Sequence, residues 1–296
     1  MYSQIDSNKY KSIALIAIFV AFLVALGFAY DYAYGSGGLG GVFFAILISV
    51  FMTGVSYFAG DKIALSSSGA RAITKKENTY LYNIVENLSI TAGIPMPKVY
   101  IIPDAAINAF ATGRDPLHAS IAVTEGALKK LENEELEGVL AHELSHVKNF
   151  DTRLIMLVIV LVGAIGLLAD MFWRARFFGF GGGRRDNDHE GGNALFMIIG
   201  LAIILLSPLI AQLIKFALSR RREFLADASG ALLTRYPEGL ARALEKIGID
   251  KAPMAHANAT TAPLYFTNPL SGKNFINLFS THPPLEARVK ALRGMA

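Results

Sequence analysis

His142 and His146 stand four residues apart, and Glu143 follows the first directly. Together His142-Glu143-Leu144-Ser145-His146 make a complete H-E-x-x-H pattern. On a helix, positions i and i+4 lie one above the other on a single face. Two imidazoles so placed can hold one zinc ion, and Glu143, beside the metal, can take a proton from zinc-bound water. Five residues also match by chance. The reading therefore needs a helix to carry the pattern, a third ligand and a surface that binds a peptide.

A helix is predicted from Asn133, read as its N-cap, with Glu134 and Glu135 favourable in the first turn. Leu136, Val139, Leu140, Leu144 and Val147 form its apolar stripe. A catalytic zinc usually takes three protein ligands and keeps one open position. Glu223, just past the apolar residue Leu218, is a candidate third ligand, and Asp227, four residues on, could hold a ligand histidine by its other ring N–H. The competing reading of Arg-Arg-Arg-Glu at 220–223 is a solvated juxtamembrane turn. His189 and Glu190 are rival ligands, and the isolated His118 and His256 read as structural or exposed. The chain has no cysteine, which excludes disulfides, thiolate ligands and a cysteine nucleophile.

The elements that must position these residues belong to a membrane protein. Of 296 residues, 53% are hydrophobic and only 18% charged, and the mean hydropathy is +0.40. Runs at about 12–30 and 41–59 read as a hairpin of membrane helices. Their connecting loop carries no Lys or Arg, while Lys9, Lys11, Lys62, Arg71, Lys75 and Lys76 lie beyond the far ends. By the positive-inside rule both ends of the hairpin face the cytoplasm. The net charge of +4 belongs to this pattern, and no nucleic-acid partner is expected. Runs at about 154–172 and 194–218 read as a second hairpin, closed by Arg220-Arg221-Arg222. Arg174, Arg176, Arg184 and Arg185 lie in its loop, so a shallow or protein-packed hairpin is the alternative to full crossing.

Between and after these runs the composition is that of a soluble domain. A helix is predicted over 77–92, ending at Gly93. Strands are predicted over 98–102, 107–111 and 120–123. Further helices are predicted over 220–233, continuing the fourth apolar run, from Pro237 to about Ile247, and from Pro283-Pro284 to about Arg293. The chain thus divides into an N-terminal hairpin at 1–60, a first soluble part at 61–151, a second hairpin at 152–219 and a second soluble part at 220–296. The fold class expected is mostly α with a small β-sheet.

His142 to His146 followed by Glu223-Phe224-Leu225-Ala226-Asp227, with apolar hairpins before and between, resembles the HtpX-type membrane metalloproteases. These are related to the Ste24 CAAX-prenyl proteases and the mitochondrial Oma protease. The resemblance covers nearly the whole chain. It implies an α+β zincin-like catalytic domain joined to a four-helix transmembrane region, and one Zn2+ held by His142, His146 and Glu223, with Glu143 as base. Asn108, Ala109, Phe110 and Ala111 resemble the edge strand beside the cleft, which can pair with a substrate strand through its backbone. Thr281-His282-Pro283-Pro284 and Arg288 resemble the family's His and Arg that face the substrate carbonyl, where a donor stabilises the oxyanion. The reading is a multi-pass protein of the cell inner (plasma) membrane whose cytoplasmic domain cuts misfolded or damaged membrane proteins. An intramembrane protease of the site-2 class is disfavoured by the charges flanking the pattern, Glu132 to Glu137 and Lys148 to Arg153. A membrane scaffold or chaperone-like protein with a structural zinc is the alternative. It would require a fourth ligand that no residue is spaced to supply.

Overall fold

The computed structural model describes residues 2–34, 38–163, 219–250, 252–254, 262–267 and 283–295. Tyr2–Tyr34 (α1) and Gly40–Ser67 (α2) are helices folded back on one another. Two small residues let them touch. A Cβ on Gly27 would lie 2.5 Å from the Gly41 carbonyl oxygen, so the backbones meet there directly. Near the end of α1, Asp31 accepts the Gly41 and Val42 N–H groups at 2.7 and 3.0 Å. It thereby caps α2, whose own N-cap residue, Leu39, has no side-chain bond to give. Phe28, Phe43, Phe44, Leu47, Val50, Phe51 and Phe58 point outward and are exposed. Among the described residues these two helices are long and apolar enough to cross a membrane. Residues 151–163 are helical and largely buried. The rest of the predicted third run and all of the fourth lie outside the described residues.

The sheet has strands Arg71–Ala72 (β1), Lys98–Ile102 (β2), Ala109–Gly113 (β3) and Ala119–Thr124 (β4) in the order β1-β2-β4-β3. β2 and β4 run parallel, and the outer pairs are antiparallel. Side chains alternate between its faces. Val99, Ala109, Ile121 and Val123 join one apolar core. Tyr100, Ile102, Phe110 and Ala122 join another that contains Leu15, Phe19, Leu23, Ala64, Leu65 and Leu154 to Leu161. The sheet is therefore a layer between the catalytic helices and the inner ends of the apolar helices. β3 starts at Ala109 rather than the predicted Ile107, and the Asn108 N–H before it donates to the Thr124 hydroxyl instead of to a backbone carbonyl.

The first core is closed by Thr79–Ala92 (α3), Glu125–Lys130 (α4), Asn133–Lys148 (α5), Arg220–Thr234 (α6), Pro237–Ile249 (α7) and Leu285–Arg293 (α8). Leu136, Val139, Leu140 and Leu144 of α5 are fully buried, as their stripe predicts. The N-cap of α5 is Glu132 rather than Asn133, and the Glu135 carboxylate accepts the Glu132 N–H at 2.8 Å. Ser219 is extended, with φ −76° and ψ 125°, and α6 starts at Arg220.

Candidate metal centre

α5 carries His142, Glu143 and His146, all buried. α6 crosses it closely. A Cβ on Gly230 would lie 3.0 Å from the His142 backbone nitrogen, so a side chain there would crowd the backbone of α5. This crossing brings Glu223, in the first turn of α6, over the two histidines. The His142 and His146 Nε2 atoms are 3.1 Å apart, and each lies 3.7 Å from a Glu223 carboxylate oxygen. Separations of this size arise among ligands that share one ion at about 2.1 Å.

The chemistry of the donors fits a metal. The His142 Nδ1 lies 2.9 Å from Asp227 Oδ1, and the His146 Nδ1 lies 3.0 Å from Asp151 Oδ2. An imidazole that donates from Nδ1 carries its lone pair on Nε2. Two such lone pairs 3.1 Å apart repel unless a cation or proton stands between them. His142, His146 and Glu223 are thus suited to hold one zinc, and among the described residues this group has three members. Three ligands leave a position open, as catalytic zinc requires.

Burial holds His142 neutral, with its pKa pushed down to about 4 against the pull of Asp227. Burial also depresses His146, but the Asp151 hydrogen bond and the Glu223 charge outweigh it and raise His146 to about 9. Glu143 is pushed up to about 7, first by burial and also by the charge of Glu223, while the charge of His146 opposes the rise. Glu143 Oε2 accepts the Ala111 N–H at 2.9 Å, which fixes the carboxyl to strand β3. Burial would raise Asp227, yet bonds from Arg288 and His142 hold it well below the carboxylate range.

Two of the expected substrate-binding elements make contacts within the protein. Arg288 is fully buried. Its Nε and one terminal nitrogen donate to Asp227 at 2.8 and 2.6 Å, and its guanidinium stacks over Phe266. It holds Asp227, and through it His142. Asn108–Ala111, the segment expected to pair with substrate, also has partners within the protein. The Ala109 carbonyl accepts the Phe266 N–H at 2.9 Å. The Asn108 side-chain amide donates to the Thr267 carbonyl and accepts its N–H. Phe110 is buried in the core below. The Phe266 ring meets His142 edge to face, with centroids 4.9 Å apart.

Asp227 stands where the spacing placed it, one turn beyond Glu223. Sequence reasoning missed Asp151 as the partner of His146. It also missed Asn8, Arg222 and Phe266. His118 is exposed and pairs with Asp115, away from the centre. His189, Glu190, His256 and His282 lie outside the described residues.

Comparison with known proteins agrees with the fold. Residues 75–296 match the description "Peptidase family M48". The chain is similar to a "Protease HtpX homolog" of Dictyoglomus turgidum, 47% identical over 296 residues, covering 99% of this chain and 94% of that protein. It is similar to another of the same name from Tropheryma whipplei (strain Twist), 45% identical, covering 100% of this chain and 98% of that one. Among solved structures it resembles S. mikatae Ste24p with a TM-score of 0.52 at 19% identity, covering 99% of this chain and 67% of that one. That likeness is one of fold.

Proposed function

The chain belongs to peptidase family M48 as a membrane metalloprotease, and on that premise we infer a zinc endopeptidase with ligands His142, His146 and Glu223 and with Glu143 as its base. The observation that carries this is the convergence of three buried ligand atoms, with both histidines oriented from behind by carboxylates. A zinc ion held there supplies a Lewis acid for the scissile carbonyl and lowers the pKa of water. Glu143, anchored by the Ala111 amide, accepts the water proton and later returns it to the leaving amine. Its raised pKa, about 7, suits both steps. Asp227 and Asp151 keep each ring in the tautomer that points a lone pair at the metal.

In this reading the substrate enters extended and pairs with β3 along Asn108–Ala111. It exchanges the Phe266–Ala109 hydrogen bond for one of its own. His282 acts as a donor toward the oxyanion. The soluble parts at 61–151 and 220–296 form one catalytic domain on the cytoplasmic face of the plasma (inner) membrane, anchored by the hairpins at 1–60 and 152–219. The sheet packs directly on the apolar helices, so the substrates favoured are membrane proteins cut close to the bilayer. The role proposed on that reading is quality control of misfolded or damaged membrane proteins, as the resemblance of the motifs implies.

The test uses the full chain in detergent and a misfolded membrane protein. Glu143→Gln should retain zinc and lose cleavage by at least about 100-fold, and a chelator should abolish wild-type cleavage. Undiminished cutting by Glu143→Gln would remove Glu143 as base. Unchanged zinc affinity in Glu223→Gln would remove the third ligand. The chain lacks native cysteine, so a single cysteine at Asn187 reports topology. Labelling only from the cytoplasm would refute crossing by the second hairpin.

A further inference from the structure

We propose that Asn8, at the head of the first membrane helix, is a positioning residue of the metal centre: through Asp151 it fixes the ring of His146. The proposal rests on the reading of His146 as a zinc ligand. Asn8 precedes the apolar run of α1, where a polar side chain would ordinarily lie in water. Instead it is 1% exposed. Burying a side-chain amide is unfavourable unless its hydrogens find acceptors. Both find them on one turn. Nδ2 donates to the Asn149 carbonyl at 2.9 Å and to Asp151 Oδ1 at 2.7 Å.

That turn is where the metal helix ends. Asn149 caps α5, and Phe150 adopts a left-handed conformation with φ 60°. The reversal brings Asp151 back beneath His146. The two carboxylate oxygens of Asp151 then divide their work. Oδ2 meets His146 Nδ1 at 3.0 Å, and Oδ1 receives Asn8. A carboxylate is planar, so a short bond on one oxygen sets the direction of the other. Arg222 also approaches Oδ1, but its Nε is 3.6 Å away, beyond hydrogen-bond range. It contributes charge with little direction. Asn8 supplies the direction, and by holding the Asn149 carbonyl it also steadies the turn. The first membrane helix is therefore a wall of the metal site as well as its anchor.

The test measures zinc affinity of the full chain in detergent by chelator competition, and cobalt(II) absorption as a report of ligand geometry. Removing an outer partner of a ligand histidine typically weakens metal binding about 10- to 100-fold, the loss expected for Asp151→Asn. Asn8→Ala acts one bond further out, so a loss of about 3- to 10-fold is expected, with an altered cobalt(II) spectrum. In the Asp151→Asn background the same substitution should add less than about twofold. Asn8→Asp, of equal size but without the donor, should lose at least as much as Asn8→Ala and covers the case in which the smaller residue fails to fold. Phe19→Ala loosens α1 against the sheet without touching Asp151, and it should leave zinc affinity within about twofold. Unchanged affinity in Asn8→Ala, an equal loss in the Asp151→Asn background, or an equal loss from Phe19→Ala would each overturn the proposal. A wild type that binds no zinc overturns it together with the proposed centre. A wild type that binds zinc with an inert Asn8 overturns the proposal alone.

Discussion

Replacing Arg288 by Met should destabilise the domain strongly while sparing the metal ligands. Arg288 and Asp227 are both buried, at 0% and 2% exposure, and are joined by bonds of 2.6 and 2.8 Å. The Asp227 oxygen that takes the shorter bond also takes His142 Nδ1 at 2.9 Å. Removing the guanidinium strands a buried carboxylate, and breaking such a pair from one side costs about 3–5 kcal/mol. That is a large part of the roughly 5–15 kcal/mol that stabilises a typical domain. Asp227→Asn strands the arginine instead and should cost a similar amount. The double variant Arg288→Met with Asp227→Asn removes both charges and leaves an amide oxygen for His142. Its cost should be about 1–2 kcal/mol, far below the sum of the singles. Denaturant unfolding of the metal-free full chain reads these differences without the contribution of zinc. The reasoning fails if each single variant loses less than about 1 kcal/mol and the losses simply add. Zinc competition gives an independent check, since Asp227→Asn should weaken binding by about 10- to 100-fold.

In the metal-free protein His146 holds a proton up to about pH 9, and zinc must displace it. The logarithm of apparent zinc affinity should rise by about one per pH unit between about 7 and 9 and then flatten. Calorimetry in buffers of different ionisation enthalpy should find about one proton released, and a flat affinity across that range would contradict the assignment. The same raised pKa gives the metal-free chain a stabilising contribution that is full below about 6.5 and lost as pH rises through about 9. Unfolding of the zinc-loaded chain should lack that decline. Gly27→Leu should force α1 and α2 apart and cost at least about 1–3 kcal/mol. Cysteines paired across the hairpin would then cross-link poorly, and unimpaired cross-linking would count against the backbone contact. Phe266→Ala should cost about 3–5 kcal/mol in unfolding, since the ring lies between His142 and Arg288. A loss under about 1 kcal/mol would place the ring outside the core.

What the sequence made legible was whatever has a helical or strand period. The apolar stripe of α5 gave both the helix and the face that carries His142 and His146. The four-residue step from Glu223 to Asp227 gave the orientation of the second half of the site. What it hid depends on tertiary approach. Asp151 lies five residues from His146, a step that no helix brings into register, and it arrives there only because Phe150 is left-handed. Nothing about a phenylalanine announces that conformation. Asn8 lies in a polar stretch ahead of the apolar run, and its burial follows from the docking of α1 against a turn more than a hundred residues away. Arg288 had the composition of an exposed helix arginine. Its partner is 61 positions distant, and a buried ion pair leaves no local trace. The cap of α5 slipped by one residue because Asn133 is the better cap by type, while Glu132 has the extended backbone that a cap requires.

The contact at Gly230 bears on how such a protein changes over time. Glu223 is aligned with His142 and His146 by one helix crossing, and nothing in that crossing depends on how the chain travels between the two helices. The entropy of closing a loop grows only with the logarithm of its length, about 0.6 kcal/mol for each doubling. A lineage can therefore lengthen or shorten the connection beyond the helix at 151–163 while Asp151 and the ligands keep their places. The length of that connection and the alignment of the ligands become separable traits, inherited on different stretches of one gene.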